Sequence, residues 1–423
     1  AVAMYAYINK KYNSLSYNMK VAFSLMYTFC GYTVLYGSCF TPWMDIVALF
    51  PLLMLAYENM MQTGKKLFYI IMVAIIFIIN YYLGAMSLVY IFLISGAYVL
   101  LMSKKEKIKE HAWNLGIGTV AGLGLSCFVL VPVMMQLSGS QRGGSGQGIV
   151  SQYIGWIKSA IISDGQMAAF QRWMMLYGMA FAAAVIIMGL KKFKEEKNTI
   201  RYMISLLPIV VEGINLMWHF GSYNGYTLRN GYIVAFTLIT VAAYFAQRMF
   251  EEVTADKKQL VKQLVIFVVA AAVYAVIYNI IPSNDIILAA FILFIAIFIA
   301  AFIFYNKKLK KDGIGFDFNT IIAIVAIEVF IGAYSLIGPP KFYEYEPYQY
   351  GDYVQAANEV KDSLDIEESV TERIVNPDIS LNANYPLILR RSAMSSFTAA
   401  LQSDTQSYSK KFGYSKYFLW LLD

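Results

Sequence analysis

Long apolar runs dominate the chain, and short polar or basic breaks separate them. A membrane-crossing helix needs about 20 mostly apolar residues. That length predicts spans over 21–40, 43–61, 66–83, 85–102, 113–137, 171–190, 203–221, 226–248, 263–281, 286–305 and 319–338. A short apolar stretch over residues 1–8 precedes them. The stretch 41–101 carries the pattern most clearly: three runs, broken first by Gly64-Lys65-Lys66 and then by Tyr81-Tyr82-Leu83-Gly84. The predicted fold class is an all-α polytopic membrane protein with about eleven transmembrane helices.

Charge placement gives the runs a direction. The connections 9–20, 62–66, 103–112, 191–201, 248–262 and 306–318 hold 22 of the 34 lysines and arginines. The alternate connections hold only Arg142, Lys158, Arg172 and Arg229. Rich and poor connections alternate without exception, so the positive-inside rule places the rich ones in the cytoplasm. A miscounted span would break that alternation.

Composition agrees with the pattern. Hydrophobic residues make up 59% of the chain and charged residues 14%, against about 25% charged in soluble proteins. The three cysteines lie in or beside apolar runs and read as small hydrophobes. Two histidines, His111 and His219, are too few and too scattered for a histidine-ligated metal centre. The net charge of +7 is explained by the cytoplasmic connections, and no nucleic-acid partner is expected. The chain starts at Ala1 inside an apolar helix and stops at Asp423. It reads as a piece cut at its N-terminus.

Two segments lie outside the predicted spans. The loop 138–170 begins with a flexible Gly/Ser-rich stretch. It continues with an amphipathic piece carrying Tyr153, Trp156 and Ile157, which suits a short helix lying in the interface. The tail 339–423 is Tyr-rich and acidic at first, with helices expected at 351–364 and 396–412 and a strand at 373–375. The predicted domains are a transmembrane part, 1–338, and an incomplete extracytoplasmic α+β domain, 339–423.

Ionisable residues inside spans are costly and mark cavities or bundle interiors. Asp45 lies near the outer end of the second span, two residues after Trp43. Glu212, Asn215 and His219 recur at three and four residues, which puts them on one helical face. Arg229 follows on the same outer side, where its planar fork suits a phosphate. Asn80, Tyr81 and Tyr82 end the next span there too. Plainer readings compete. Asp45 can cap its helix, Asn80–Tyr82 can form an aromatic belt, and Glu212 and Glu328 can hold helices together. Gly118 and Gly122 suit close helix packing, Pro51 and Pro208 suit kinks, and Glu58 reads as interfacial.

The order of these motifs resembles the YfhO family of bacterial membrane proteins. The resemblance rests on Trp43-x-Asp45, Leu49-Phe50-Pro51-Leu52, Glu58 and Asn80-Tyr81-Tyr82-x-Gly84. Pro208, Asn215 and Arg229 continue it, although Arg229 is followed by Asn230-Gly231 rather than directly by an aromatic. Asn384-x-Pro386-Leu387 and Ser396-Phe397-Thr398 look like the family's extracytoplasmic region. The resemblance implies a GT-C type glycosyltransferase that takes a sugar from a polyprenyl-phosphate donor. The acceptor would be a cell-envelope polymer such as a teichoic acid, on the extracytoplasmic face of the membrane.

The same resemblance implies a catalytic acid in a first outer loop, which would precede residue 1, with Asp45 orienting the acceptor or assisting as base. Arg229 would hold the carrier phosphate. Glu212, Asn215 and His219 would shape the pocket, with Trp43, Asn80, Tyr81 and Tyr82 lining it. A divalent cation is an alternative carrier of the phosphate charge, and no protein ligand set for one is read. A transporter or flippase of lipid-linked saccharides is the competing function. A transporter often shows two related halves, and none is visible in this chain.

Overall fold

The computed structural model describes residues 1–102, 105–138, 179, 182, 185–186, 201–210, 212–220, 228–249, 325–326, 355 and 359. These residues are helical apart from turns and short connections, with no strand among them. The elements are α1 (Val2–Lys11), α2 (Tyr17–Thr28), α3 (Gly31–Cys39), α4 (Thr41–Thr63), α5 (Leu67–Ile79), α6 (Tyr81–Met102) and α7 (Lys105–Ser138). After a 3₁₀ segment, Arg201–Leu206, come α8 (Leu207–Val210), α9 (Glu212–Trp218) and α10 (Gly231–Met249).

Among the described residues, three helices are long and apolar enough to cross a membrane: Thr41–Thr63, Tyr81–Val99 and Lys107–Gln136. Leu67–Ile79 and Gly231–Gln247 are shorter apolar helices. The predicted spans at 263–281 and 286–305 lie outside the described residues, as do the interfacial piece after Gly148 and the strand at 373–375. Within the predicted span 171–190, Ala182, Val185 and Ile186 are buried at one-face helical spacing.

Backbone contacts divide the chain into two units, residues 1–127 with 154–339 and residues 128–153 with 340–423. The first contains every side-chain cluster discussed below. In the second, the Gln355 amide donates to the Glu359 carboxylate at 3.0 Å, one helical turn apart, within the predicted helix 351–364.

Three predicted spans are interrupted, each for a local reason. The run 21–40 breaks at Phe29–Cys30. Cys30 turns extended (φ −64°, ψ 160°) and α3 restarts at Gly31. The run 66–83 breaks at Asn80, which is extended (φ −154°, ψ 96°). Its side-chain oxygen accepts the Leu83 N–H at 3.0 Å, a helix cap that starts α6 at once. The run 203–221 divides into the 3₁₀ segment, α8 and α9. Pro208 lacks an N–H and crowds the preceding turn, so it sits in the first turn of α8 with tighter 3₁₀ backbone before it.

Pro51 sits inside α4 and cannot donate to the carbonyl of Val47. The buried Tyr27 hydroxyl of α2 donates to that carbonyl instead, at 2.8 Å. The residue beside the proline, Phe50, is fully buried. Its ring meets those of Tyr232 at 5.2 Å and Phe236 at 5.1 Å, both edge-on. This aromatic knot joins α4 to α10. Its polar atoms are satisfied: Tyr232 shares a hydrogen bond with Ser87 at 2.8 Å, and Tyr90 shares one with Thr237 at 3.0 Å.

Small residues bring α7 against α5. A Cβ on Gly122 would lie 2.7 Å from Val73 Cβ and 2.9 Å from the Ile70 carbonyl oxygen. One on Gly118 would lie 2.8 Å from the Tyr69 ring. Gly116 and Gly124 face open space. The opposite face of α5 is apolar and exposed, with Ile71, Ile75, Ile78 and Ile79 in a stripe. On α7, Trp113, Val120 and Leu125 are exposed as well. Such stripes belong against lipid rather than water.

Candidate functional site

Two polar clusters occupy opposite ends of these helices. The first lies where α4, α6 and α10 begin and α9 ends. Arg229 is its centre. The guanidinium lies 5.4 Å from the Tyr82 ring centre and 5.9 Å from that of Trp43, and its Nη1 donates to the Tyr82 hydroxyl at 3.2 Å. Aromatic faces attract a guanidinium and fix its plane. Trp43 is itself stacked on Phe40, 4.4 Å between centres and 13° between planes.

The backbone around Arg229 is held by two tertiary contacts. Its N–H donates to His219 Nε2 at 2.9 Å, and its carbonyl accepts from the buried Tyr32 hydroxyl at 2.9 Å. The other ring nitrogen, Nδ1, lies 2.6 Å from the Asn215 carbonyl oxygen. A carbonyl only accepts and an N–H only donates, so Nδ1 carries the proton and Nε2 is the acceptor. Both nitrogens of this buried histidine are engaged in positioning backbone. Positive φ values at Phe220 (55°) and Leu228 (56°) mark the turns on either side.

The structure thus gathers Trp43, Tyr82, Asn215, His219 and Arg229 from the sequence-predicted set. Asn80 lies two residues before Tyr82 and caps α6. Tyr81 opens that helix, half-buried. Asp45 is exposed on α4, and since successive helical residues turn by about 100°, it points away from the side that carries Trp43. The N-cap position of α4 is Phe40, with no side chain capping it. Glu212 is the first residue of α9, and its side chain lies outside the described ones.

The second cluster lies at the other end, where the connections 9–20 and 62–66 meet Arg201. Here the structure corrects the interfacial reading of Glu58, which is 8% exposed. Its Oε1 accepts from the Tyr7 hydroxyl at 2.7 Å, from Lys11 Nζ and from the Tyr202 hydroxyl. Lys11 also reaches the hydroxyls of Tyr7 at 2.7 Å and Tyr202 at 2.6 Å. Burial lowers the Lys11 ammonium to about 8; the Glu58 carboxylate opposes the shift and Arg201 adds to it. Arg201 lies between the rings of Tyr98 and Tyr202, at 4.9 and 4.8 Å. In sequence, the only signal for this cluster is an acid closing an apolar run beside basic connections. The pairing of residue 58 with residues 7, 11 and 202 is a tertiary fact.

A family model described as bacterial membrane protein YfhO matches residues 1–418. The chain belongs to the YfhO family. It is therefore a bacterial membrane protein, which accords with the exposed apolar stripes of α5 and α7. No curated protein matches this YfhO-family chain, and no solved structure does. Among the described residues, no group of three or more His, Cys, Asp or Glu side chains is placed to hold a metal ion. In this YfhO-family member the chemistry open to the first cluster is that of a fixed cation beside aromatic faces.

Proposed function

We propose that the chain transfers a sugar from a polyprenyl-phosphate donor to a cell-envelope glycopolymer or glycolipid, on the extracytoplasmic side. The observation that supports this reading is the arrangement around Arg229. A guanidinium, steered by Trp43 and Tyr82 and by a backbone tied to His219 and Tyr32, stands at the end opposite the basic connections. In such a transfer the acceptor hydroxyl attacks the anomeric carbon, and the bond from that carbon to the phosphate oxygen breaks. Negative charge grows on the departing lipid phosphate. A pre-positioned arginine stabilises that charge more than it stabilises the intact donor, which is what accelerates a reaction. The acceptor's proton passes to a general base; Asp45 stands at this end of α4 but is turned away from Trp43, so it is not assigned that role. Trp43, Tyr81 and Tyr82 offer flat faces for a sugar ring or a prenyl chain.

The test is transfer in membranes supplied with a radiolabelled polyprenyl-phosphate sugar. Arg229→Ala is expected to lower the transfer rate by about 100-fold, while Arg229→Lys keeps part of it by restoring the charge without the fork. Unchanged transfer in Arg229→Ala would remove the phosphate role.

A further inference from the structure

We propose that the cavity at the basic end binds a phosphate-bearing ligand. This inference does not rest on the sugar-transfer reading of the opposite end. The cavity holds about 550 Å³, within the usual range for small-molecule sites. Among the described residues, its walls include Lys10, Lys11 and Arg201 and one carboxylate, Glu58. Lys11 is already paired with Glu58. Among the described residues, three cations therefore share one carboxylate.

Arg201 carries the inference furthest. It is 9% exposed, yet no carboxylate lies within 4.0 Å of it among the described residues. Nη2 donates to the Tyr202 hydroxyl at 2.9 Å, whereas Nε is buried with no acceptor. A buried guanidinium with an unpaired donor is costly by itself. The rings of Tyr98 and Tyr202 hold it in place at the cavity wall, so little reordering is needed to receive an anion. A phosphate satisfies the fork with two parallel hydrogen bonds and neutralises the excess charge. Asn59 and Gln62 add amides to the lining.

The rest of the described wall is five tyrosines with Leu55, Met61 and Phe68. Phe68 stands on α5 beside Leu67 and Ile71, both exposed. The shared chemistry is a phosphate group, borne by a lipid headgroup or by a free anion. These two sources are separable. The full chain in neutral detergent would be titrated with dioctanoyl phosphatidic acid, with inorganic phosphate, and with dioctanoylglycerol as the uncharged control. Binding would be read by calorimetry and thermal shift.

The expected result is saturable binding of phosphatidic acid and none of dioctanoylglycerol. Arg201→Gln should weaken binding by about tenfold or more, as loss of hydrogen bonds to a charged group implies. Lys10→Gln, at an exposed side chain, should weaken it by a smaller factor. Binding of inorganic phosphate with the same sensitivity identifies a free anion as sufficient. Binding of the lipid alone identifies a headgroup. Both support the cavity. Should Arg201→Gln fail to fold, Lys10→Gln and Gln62→Glu decide, the latter by placing a repelling charge in the wall. The proposal is overturned by no binding of either phosphate probe, or by binding that these variants leave unchanged.

Discussion

Arg229 shows how a single residue acquires a role from contacts that none of its neighbours in sequence make. Its charge is set by residue type, but its aim is set by Trp43, Tyr82, His219 and Tyr32. His219 therefore works as a positioning residue, with one nitrogen given to Asn215 and the other to Arg229. His219→Ala is expected to lower transfer nearly as far as Arg229→Ala, while the temperature of unfolding in detergent falls for His219→Ala and holds for Arg229→Ala. Parallel transfer and melting measurements on the two variants check this. Tyr27 is a second case. Its hydroxyl serves the Val47 carbonyl that Pro51 leaves open. Tyr27→Phe keeps the ring and strands a buried carbonyl, at a cost of about 1–3 kcal/mol. Thermal or denaturant unfolding of the purified protein reads that loss.

At the scale of elements, within the described residues hydropathy located the apolar segments well and their ends poorly. Runs of apolar residues are additive along the chain, so a window finds them. Breaks depend on one extended residue, such as Cys30 or Asn80, whose backbone conformation hydropathy does not encode. The helix contacts divide similarly. Gly118 and Gly122 were legible as a packing motif, and the structure adds the partner, α5, and the direction in which they face. Gly122→Ala puts a Cβ into Val73 Cβ and the Ile70 backbone, neither of which is the far end of a flexible side chain. A destabilisation of about 1–3 kcal/mol is expected, and Gly124→Ala, which meets open space, should be close to neutral. Comparing the two melting temperatures isolates the packing term from any change in helix propensity.

For the whole molecule, the decisive relation is between the two ends. Glu58 ties α1, α4 and the segment 201–202 together through one oxygen. Glu58→Leu leaves Lys11 buried without its counter-charge, and a loss of about 3–5 kcal/mol is expected, measured as reduced yield and melting temperature. The orientation proposed for the membrane has its own check. In a cysteine-free background, Asp45→Cys should react with an impermeant maleimide on intact cells, and Gln62→Cys only after permeabilisation. The reverse labelling pattern would invert the proposed sidedness, and the sugar-transfer reading with it.

The sequence by itself determined the class: a helical membrane protein with motifs in the order of the YfhO family. It also offered candidates, because polar residues stand out against apolar runs; the structure brings Trp43, Tyr82, Asn215, His219 and Arg229 together and turns Asp45 away. Only the tertiary structure decided that His219 spends both nitrogens on backbone, that Glu58 is buried under three donors, and that Arg201 faces a cavity with a donor to spare. Hydropathy sums along neighbouring residues and survives without knowledge of the fold. Hydrogen-bond partners and buried charge depend on residues far away in sequence, 197 positions between Tyr32 and Arg229, and take their meaning only once the chain has brought them together.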